Sequence, residues 1–240
     1  MPTIDRPAAR PGDRPTDRLT APVPAYLGLL VDWGGVLTTS VFESFDRFAE
    51  GEGLEPGAVA ELFRTEPKAR DLLTGLETGQ LPEADFESGL GALLGVSPDG
   101  LIVRLMRAAR PDPAMRAAVA AARRRGVPTG LVSNSWGSAG YPEDVLRDLF
   151  DGVVISGRVG VRKPSAQIYR LGAESLGLRP DQCVFVDDLT ANLRPARELG
   201  MAVVHHTDAA RTIAELARLL AVDLETNPAV RPPQAPGRVS

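Results

Sequence analysis

The sequence predicts an α/β protein in which a doubly wound parallel sheet carries an inserted α-helical domain. Five short apolar runs alternate with amphipathic helical patterns, as strands and crossover helices do in a parallel sheet. One purely helical block, residues 43–110, interrupts this alternation between the first and second runs. Acidic or hydroxyl side chains end three of the runs, and ligands of such sheets bind at the carboxyl ends of the strands.

The composition of the 240-residue chain fits one sizeable core with a smaller appended domain. Hydrophobic residues make up 43% and charged residues 24% of the chain, as is ordinary for a globular protein. A formal net charge of −4 does not indicate the positively charged surface that binds nucleic acid. No apolar run approaches the roughly 20 residues that span a bilayer. We therefore expect neither a nucleic acid nor a membrane as partner, and the sequence leaves a monomer and a homodimer equally open.

A reducing compartment is indicated by the cysteine content. The single cysteine, Cys183, excludes an intrachain disulfide. The N-terminal residues combine prolines with scattered charges and lack the apolar core of a signal peptide. We therefore expect a cytoplasmic protein.

Both ends of the chain are predicted to be tails. Residues 1–24 repeat Pro, Arg and Asp without an apolar period, and residues 222–240 are similarly rich in proline. Neither segment can bury enough apolar surface to offset the entropy lost on ordering, so the first is predicted to be disordered. The α/β core is assigned to residues 25–42 and 111–221, and the helical domain to residues 43–110.

Each predicted strand is a short apolar run, as expected for strands buried on both faces of a parallel sheet. The runs are YLGLLVDW (26–33), VPTGLVSN (127–134), DGVVISG (151–157), CVFVDD (183–188) and MAVVHH (201–206).

The helices between the strands are predicted from apolar periodicity and end signals. They cover residues 113–126, 163–177, 190–200 and 208–222. Pro113 and Pro164 are expected in the first turns of the first two helices, and Asp208 is expected to cap the last.

The block between the first two strands contains four helical patterns. They cover residues 42–53, 57–75, 82–95 and 98–109. A single crossover helix would need far fewer residues, so this block is predicted to be an inserted domain.

Polar side chains are expected to converge at the carboxyl ends of the strands. They are Asp32 after the first strand, Ser133 and Asn134 after the second, Asp187 and Asp188 after the fourth, and Lys163 before the intervening helix. Metal-assisted phosphoryl transfer needs a nucleophilic carboxylate, a hydroxyl and an ammonium for the phosphoryl oxygens, and further acids for Mg²⁺. This set of residues supplies all of them.

Four motifs in this order resemble those of the haloacid dehalogenase-like hydrolase superfamily. They are DWGGV (32–36), LVSN (131–134), RKP (162–164) and VFVDD (184–188). The sequence is most similar to a capped branch, subfamily I, that includes the N-terminal phosphatase domain of soluble epoxide hydrolases and its bacterial relatives. The resemblance covers residues 25–221 and implies a Rossmann-like core in which the inserted helices form the cap.

The resemblance implies a Mg²⁺-dependent phosphatase acting on a small phosphorylated metabolite. Asp32 would be the nucleophile that forms an aspartyl-phosphate, and it would also bind the metal together with the backbone carbonyl of Gly34. Asp188 would be a direct metal ligand, whereas Asp187 would lie in the outer coordination shell or pair with Lys163.

Other positions would contact the substrate. The resemblance implies that Ser133, Asn134 and Lys163 bind the phosphoryl group, and that Asn192 lies at the rim of the site. Trp136 either forms a wall of the substrate site or packs beneath the cap.

Gly34 departs from the family pattern D-x-D, in which the second acid protonates the leaving oxygen and later activates water. General acid–base catalysis typically contributes about 10²–10⁴-fold, less than the roughly 10⁶-fold or more of a whole enzyme. Gly34 therefore predicts a slow or specialised phosphatase, or one in which a water molecule or a cap residue replaces the acid.

Two further functions stay open from the sequence. A metal-independent dehalogenase acting on 2-haloacids would use Asp32 without needing an acid, because halide leaves without a proton. The pair Asp187–Asp188 argues against it, since that pair is explained chiefly by metal chemistry. A catalytically weak phospholigand-binding or interaction protein is favoured by Gly34 alone.

Three other residues invite chemical interpretations. His205 and His206 end the fifth strand, but no third metal ligand accompanies them, so a structural or solvated role is favoured. As a cap lysine, Lys68 could form a Schiff base with an aldehyde substrate, as in the phosphonoacetaldehyde hydrolase branch, to which DWGGVLTT has a passing similarity. Its charged surroundings, RTEPKARD, favour a solvent-exposed side chain.

Overall fold

Five parallel strands form the sheet that the sequence predicts, in the order β3–β2–β1–β4–β5. The computed structural model describes residues 25–137 and 140–224, so the predicted tails lie outside the described residues except for residues 222–224. The strands are β1 (Gly28–Val31), β2 (Thr129–Ser133), β3 (Gly152–Ile155), β4 (Cys183–Asp187) and β5 (Ala202–His205).

Helices cover both faces of the sheet, which confirms the doubly wound arrangement. Leu29 and Val31 of β1 pack in one apolar cluster and Leu30 packs in another, because successive side chains of a strand point to opposite faces. The helices of the core are α6 (Pro113–Arg124), α7 (Glu143–Leu149), α8 (Ser156–Val159), α9 (Ala166–Ser175), α10 (Thr190–Glu198) and α11 (Ala209–Leu220). Helices α6, α7 and α11 contribute to the first cluster, and α9 and α10 to the second.

The block between β1 and β2 is helical, as predicted. Its helices are α1 (Val41–Glu52), α2 (Ala58–Thr65), α3 (Pro67–Glu77), α4 (Glu83–Leu94) and α5 (Leu101–Met106). We call these five helices the helical insertion. They enclose an apolar cluster of their own that includes Phe45, Phe86 and Leu90.

Several helix ends differ from the prediction. The pattern at residues 57–75 is divided into α2 and α3 at Glu66 (φ −93°, ψ 113°), because a residue before proline disfavours the helical conformation. Pro164 lies before α9 rather than in its first turn, since Ser165 is the N-cap and accepts a hydrogen bond from the backbone N–H of Gln167. Asp208 caps α11 as predicted, accepting from the backbone N–H of Arg211.

The C-terminal boundary of the core also differs. Leu224, predicted to lie in the tail, is 1% exposed and belongs to the same apolar cluster as Leu29. Val222 packs against that cluster as well. The core therefore extends three residues beyond the predicted limit at residue 221.

None of the helices in the described part of the chain has the length and apolar character needed to cross a membrane.

The strand register determines where the polar strand ends meet. Val31 of β1 lies beside Leu131 of β2 on one side and Val186 of β4 on the other. The residues that follow these three positions therefore share one edge of the sheet. The backbone N–H of Asp32 continues this register by donating to the carbonyl oxygen of Val186 at 2.9 Å.

Candidate active site

Three carboxylates meet at the ends of β1 and β4. One oxygen each from Asp32, Asp187 and Asp188 lies within 4.8 Å of the others. Asp32 is 7% exposed and Asp187 is fully buried. The parallel register explains this arrangement, because it places the end of β1 beside the end of β4.

The ammonium of Lys163 lies between two of these carboxylates. Its Nζ is 2.7 Å from Oδ1 of Asp32 and 2.7 Å from Oδ2 of Asp187, and the side chain is 1% exposed. Asn134 holds the backbone of Lys163 in place, since the Asn134 Oδ1 accepts from the Lys163 N–H at 2.8 Å. The Asn134 Nδ2 donates to the Lys163 carbonyl at 3.2 Å. The site thus joins the ends of β1, β2 and β4 to the segment before α9.

Asp187 is fixed from several directions. Its Oδ1 accepts from the backbone N–H of Leu189 at 2.8 Å, and Nδ2 of Asn192 lies 3.0 and 3.1 Å from its two oxygens. Asn192 is 7% exposed, so its predicted position at the rim of the site is wrong. The amide is buried because it faces Asp187 from the first turn of α10, and its backbone carbonyl accepts from the Tyr169 hydroxyl at 2.7 Å.

The site carries more negative than positive charge. Burial raises the pKa of the Asp32 carboxyl against the attraction of Lys163, and the charge of Asp187 raises it further. Burial, reinforced by Asp187, also raises the pKa of Asp188 to about 6. Burial alone would lower the pKa of Lys163, but Asp32 and Asp187 raise it, so the ammonium stays charged. Three clustered carboxylates around one ammonium fit a hard divalent cation such as Mg²⁺, which prefers oxygen ligands.

Two consecutive glycines follow the site on the β1 side, and they differ in the space around them. A Cβ on Gly34 would meet no atom within 4 Å, so the backbone there has room for a side chain. Gly35 has φ +72°, and a Cβ on it would lie 2.1 Å from Oδ2 of Asp188. Gly35 is therefore required both by its left-handed backbone and by the close approach of Asp188.

The hydroxyl of Ser133 lies beside a tyrosine that the sequence analysis did not identify. Ser133 Oγ is 2.9 Å from the Tyr141 hydroxyl, which also donates to the carbonyl of Asn134 at 3.1 Å. Tyr141 is 8% exposed, and burial raises the pKa of its phenol well above the usual range. No local motif marks Tyr141, because it reaches the site from a loop eight residues beyond Ser133.

Trp136 packs against the helical insertion. Its ring centroid lies 5.4 to 6.2 Å from those of Phe45, Phe63 and Phe86, all in tilted or edge-on geometry. Of the two roles predicted for Trp136, the structure favours packing beneath the inserted helices.

A second buried acid reaches the site from the helical insertion. Glu77, the last residue of α3, is 4% exposed, and its Oε2 lies 2.8 Å from Nη1 of Arg162. Ser156 Oγ donates to the backbone carbonyl of Glu77, which ties the end of α3 to α8. The order of residues along the chain does not predict the pairing of Glu77 with Arg162, since only the tertiary fold brings them together.

Of the remaining candidates, His205 lies beside Asp188, whereas the others lie apart from the three carboxylates or face solvent. Nε2 of His205 is 3.0 Å from the backbone carbonyl of Asp188, and Nδ1 of His206 is 2.9 Å from Oγ1 of Thr212. Lys68 is exposed, as predicted. Cys183 is buried, and burial raises the pKa of its thiol to about 11, so it is an inert core residue.

A cavity of about 320 Å³ lies between the helical insertion and the core. Its wall combines apolar and polar side chains, and Tyr141 connects it to Ser133. The lining residues are Leu76, Gly79, Leu81, Pro82, Glu83, Ser135, Gly137, Tyr141, Ile155, Gly157 and Arg158.

Known proteins resemble this chain in sequence and in fold. Bifunctional epoxide hydrolase 2 of Sus scrofa is 35% identical over 117 residues, which are 46% of this chain and 21% of that enzyme. The match thus spans about a fifth of that relative's length. A sesquiterpene phosphatase of Aspergillus oryzae is 28% identical over 151 residues, or 60% of this chain and 76% of that protein.

A solved structure shares the fold. A haloacid dehalogenase family enzyme of Bacteroides thetaiotaomicron superposes with a TM-score of 0.61 at 22% identity, covering 81% of this chain and 99% of that one. The same enzyme is known in complex with magnesium and inorganic phosphate.

The sequence pattern of the haloacid dehalogenase-like hydrolases matches residues 26–200, well over half of the chain. This match and the similarity to the epoxide hydrolases confirm the resemblance predicted from the four motifs. The parallel sheet and the acidic strand ends agree with it. The chain is an enzyme of the haloacid dehalogenase-like hydrolase family.

Proposed function

We propose that this enzyme is a Mg²⁺-dependent phosphatase that hydrolyses a small phosphorylated metabolite through an aspartyl-phosphate on Asp32. The observation that carries the proposal is the ammonium of Lys163, held 2.7 Å from both Asp32 and Asp187 within a cluster of three carboxylates. Relatives named as phosphatases and the magnesium–phosphate complex of the Bacteroides enzyme support it.

The chain's own residues divide the chemistry among them. Asp32 attacks the phosphorus atom, and Lys163 offsets the negative charge that the phosphoryl group brings beside it. Ser133 donates its hydroxyl proton to a phosphoryl oxygen, and Tyr141, 2.9 Å away, then turns its own proton from the Asn134 carbonyl to Ser133 Oγ. Asn134 positions Lys163 through the two hydrogen bonds to its backbone.

The metal would be held by Asp32, Asp188 and the backbone carbonyl of Gly34. Asp187 is the outer member of the cluster, because its oxygens already face Lys163, Leu189 and Asn192. Bound Mg²⁺ supplies positive charge that stabilises the phosphoryl oxygens during transfer.

The organic part of the substrate is assigned to the cavity of about 320 Å³ between the insertion and the core. Its wall joins apolar side chains such as Leu76 and Ile155 to the charged Glu83 and Arg158, which suits a small phosphomonoester whose body is partly polar. The lone buried Cys183 is consistent with a cytoplasmic enzyme.

The first test is hydrolysis of 4-nitrophenyl phosphate with Mg²⁺ by the wild type and by Asp32→Asn. We expect turnover that requires both Mg²⁺ and Asp32, because the amide of asparagine is not a nucleophile for phosphorus. Asp181→Asn is the matched control, since Asp181 is an exposed carboxylate just before β4.

Other outcomes would contradict the proposal. Halide release from 2-haloacids in the presence of a chelator would support the dehalogenase function instead. Tight binding of inorganic phosphate without turnover of any phosphate ester would support a binding protein.

A further inference from the structure

We infer that Glu77 supplies the acid–base group that Gly34 lacks, so that the proton for the leaving oxygen comes from the helical insertion rather than from the β1 loop. This inference rests on the proposed phosphatase function. It assigns a catalytic role to a buried acid that none of the four sequence motifs contains.

The position of Glu77 is the first argument. It ends α3, whose C-terminal segment is fastened to the core where the cavity opens: Ser156 Oγ donates to the Glu77 carbonyl, and Gly79 approaches the core closely. A Cβ on Gly79 would come within 2.4 Å of the carbonyl oxygen of Gly157. Leu76 and Gly79, on either side of Glu77, both line the cavity. The acid therefore lies on the insertion side of the site, where the organic part of the ester is assigned.

The bonding of the carboxyl is the second argument. The Glu77 side chain is buried, yet no described residue donates a well-directed hydrogen bond to its Oε2. Nη1 of Arg162 lies 2.8 Å from this oxygen, so the contact is ionic without good hydrogen-bond geometry. A buried polar atom without such a donor has capacity for a ligand, here the leaving oxygen or the attacking water.

The charges facing Glu77 are the third argument. Burial raises the pKa of the Glu77 carboxyl to about 7, although Arg162, Lys163 and a hydrogen bond from Asn134 lower it. The charges of Asp32 and Glu77 both act on the phenol of Tyr141. Glu77 and the nucleophile Asp32 thus lie near enough to one phenol, Tyr141, for both to act on it. A carboxyl that titrates near neutral pH can both donate and accept a proton.

The proton balance is complete without a further reactant. In the first step Asp32 forms a bond to phosphorus, the bond from phosphorus to the leaving oxygen breaks, and protonated Glu77 gives that oxygen its proton. In the second step the Glu77 carboxylate accepts a proton from water as the water attacks phosphorus. The phosphorus–Asp32 bond then breaks, and inorganic phosphate and the free Asp32 carboxylate are formed.

The test compares Glu77→Gln with the wild type in single turnovers, with enzyme in excess and Mg²⁺ present. Butyl phosphate has a poor leaving group and 4-nitrophenyl phosphate a good one. We expect Glu77→Gln to slow butanol release by about 10²-fold or more, the usual contribution of a general acid. Nitrophenol release should keep its rate, since nitrophenolate leaves without a proton, while the later release of phosphate slows.

Two further measurements distinguish a catalytic role of Glu77 from a purely structural one. Wild-type butanol release should fall as the pH rises through about 7, the pKa of Glu77, and this fall should be absent for nitrophenol. Gly34→Asp should restore butanol release to Glu77→Gln, because a side chain at Gly34 has room and would replace the acid at the family position. Asp71→Asn, which removes an exposed carboxylate from the same helix, is the matched control.

The outcomes are distinguishable. Equal losses on both esters without rescue by Gly34→Asp would make Glu77 a structural anchor for α3 and overturn this inference alone. A wild-type enzyme that releases neither alcohol in an Asp32-dependent manner would overturn the proposed function, and the role of Glu77 with it.

Discussion

At the scale of single residues, the two glycines after Asp32 show that neighbouring positions carry different constraints. Gly35 needs a left-handed backbone and leaves no room beside Asp188, whereas Gly34 faces open space. The absence of a side chain at Gly34 is therefore not imposed by packing. The acid missing from this position must be explained by chemistry elsewhere in the site.

This difference gives a paired prediction. Gly35→Ala should lower the free energy of unfolding by at least about 1–2 kcal/mol, the cost of a left-handed backbone for a residue with a Cβ. It should also weaken Mg²⁺ binding, because the methyl group displaces Asp188. Gly34→Ala should change neither quantity appreciably. Urea unfolding measures the stability and calorimetric titration the Mg²⁺ affinity. Equal losses in Gly34→Ala and Gly35→Ala would contradict the conclusion that only Gly35 is constrained by its backbone and by Asp188.

The sequence could predict the acids and the lysine because each follows a strand or precedes a helix in a known order. Strand ends share one edge of a parallel sheet, so their meeting point follows from topology alone. Tyr141 and Glu77 could not be predicted in this way. Tyr141 lies in a loop and Glu77 at the end of an inserted helix, and neither position is fixed by strand order. The burial of Asn192 could not be predicted either, because the sequence pattern of α10 does not show that its first turn faces Asp187.

At the scale of elements, the helical insertion has an apolar cluster distinct from the two clusters of the sheet. Periodicity predicted its helices, but the division between α2 and α3 depends on Pro67, whose effect on Glu66 is local and outweighs the continuous apolar pattern. That division starts α3 at Pro67, and Glu77 ends it.

The cluster of the insertion can be tested by a truncation in α4. Phe86 is fully buried and lies 6.2 Å from Trp136, between ring centroids. Phe86→Ala should lower the free energy of unfolding by about 3–5 kcal/mol, as is typical for a buried aromatic residue. Phe42→Ala is the matched control, since Phe42 is 44% exposed at the start of α1, and it should cost much less. Similar costs for both variants would show that the cluster is not a packed core.

At the scale of the whole molecule, the fold concentrates negative charge where two strands end and a helical insertion closes over them. The sheet register brings Asp32, Asp187 and Asp188 together, and the insertion adds Glu77. Lys163 and Arg162 are the cations that pair with these acids. With all its acids ionised the site carries more negative than positive charge, so we expect the stability of the molecule to depend on pH and on the proposed Mg²⁺.

Asp188 provides the clearest test of this link. Its pKa is raised from 3.8 to about 6 in the folded protein, so the folded state binds more protons than the unfolded state between these values. The contribution of Asp188 to the free energy of unfolding must then fall as the pH rises through this interval. In a chelator, the stability of the wild type relative to Asp188→Asn should decline from pH 4 to pH 6, as measured by urea unfolding. At pH 7, saturating Mg²⁺ should make the wild type more stable than Asp188→Asn, because the cation binds only the ionised carboxylate and only the folded chain. A wild type that gains no more from Mg²⁺ than Asp188→Asn would show that the three carboxylates do not form the metal site.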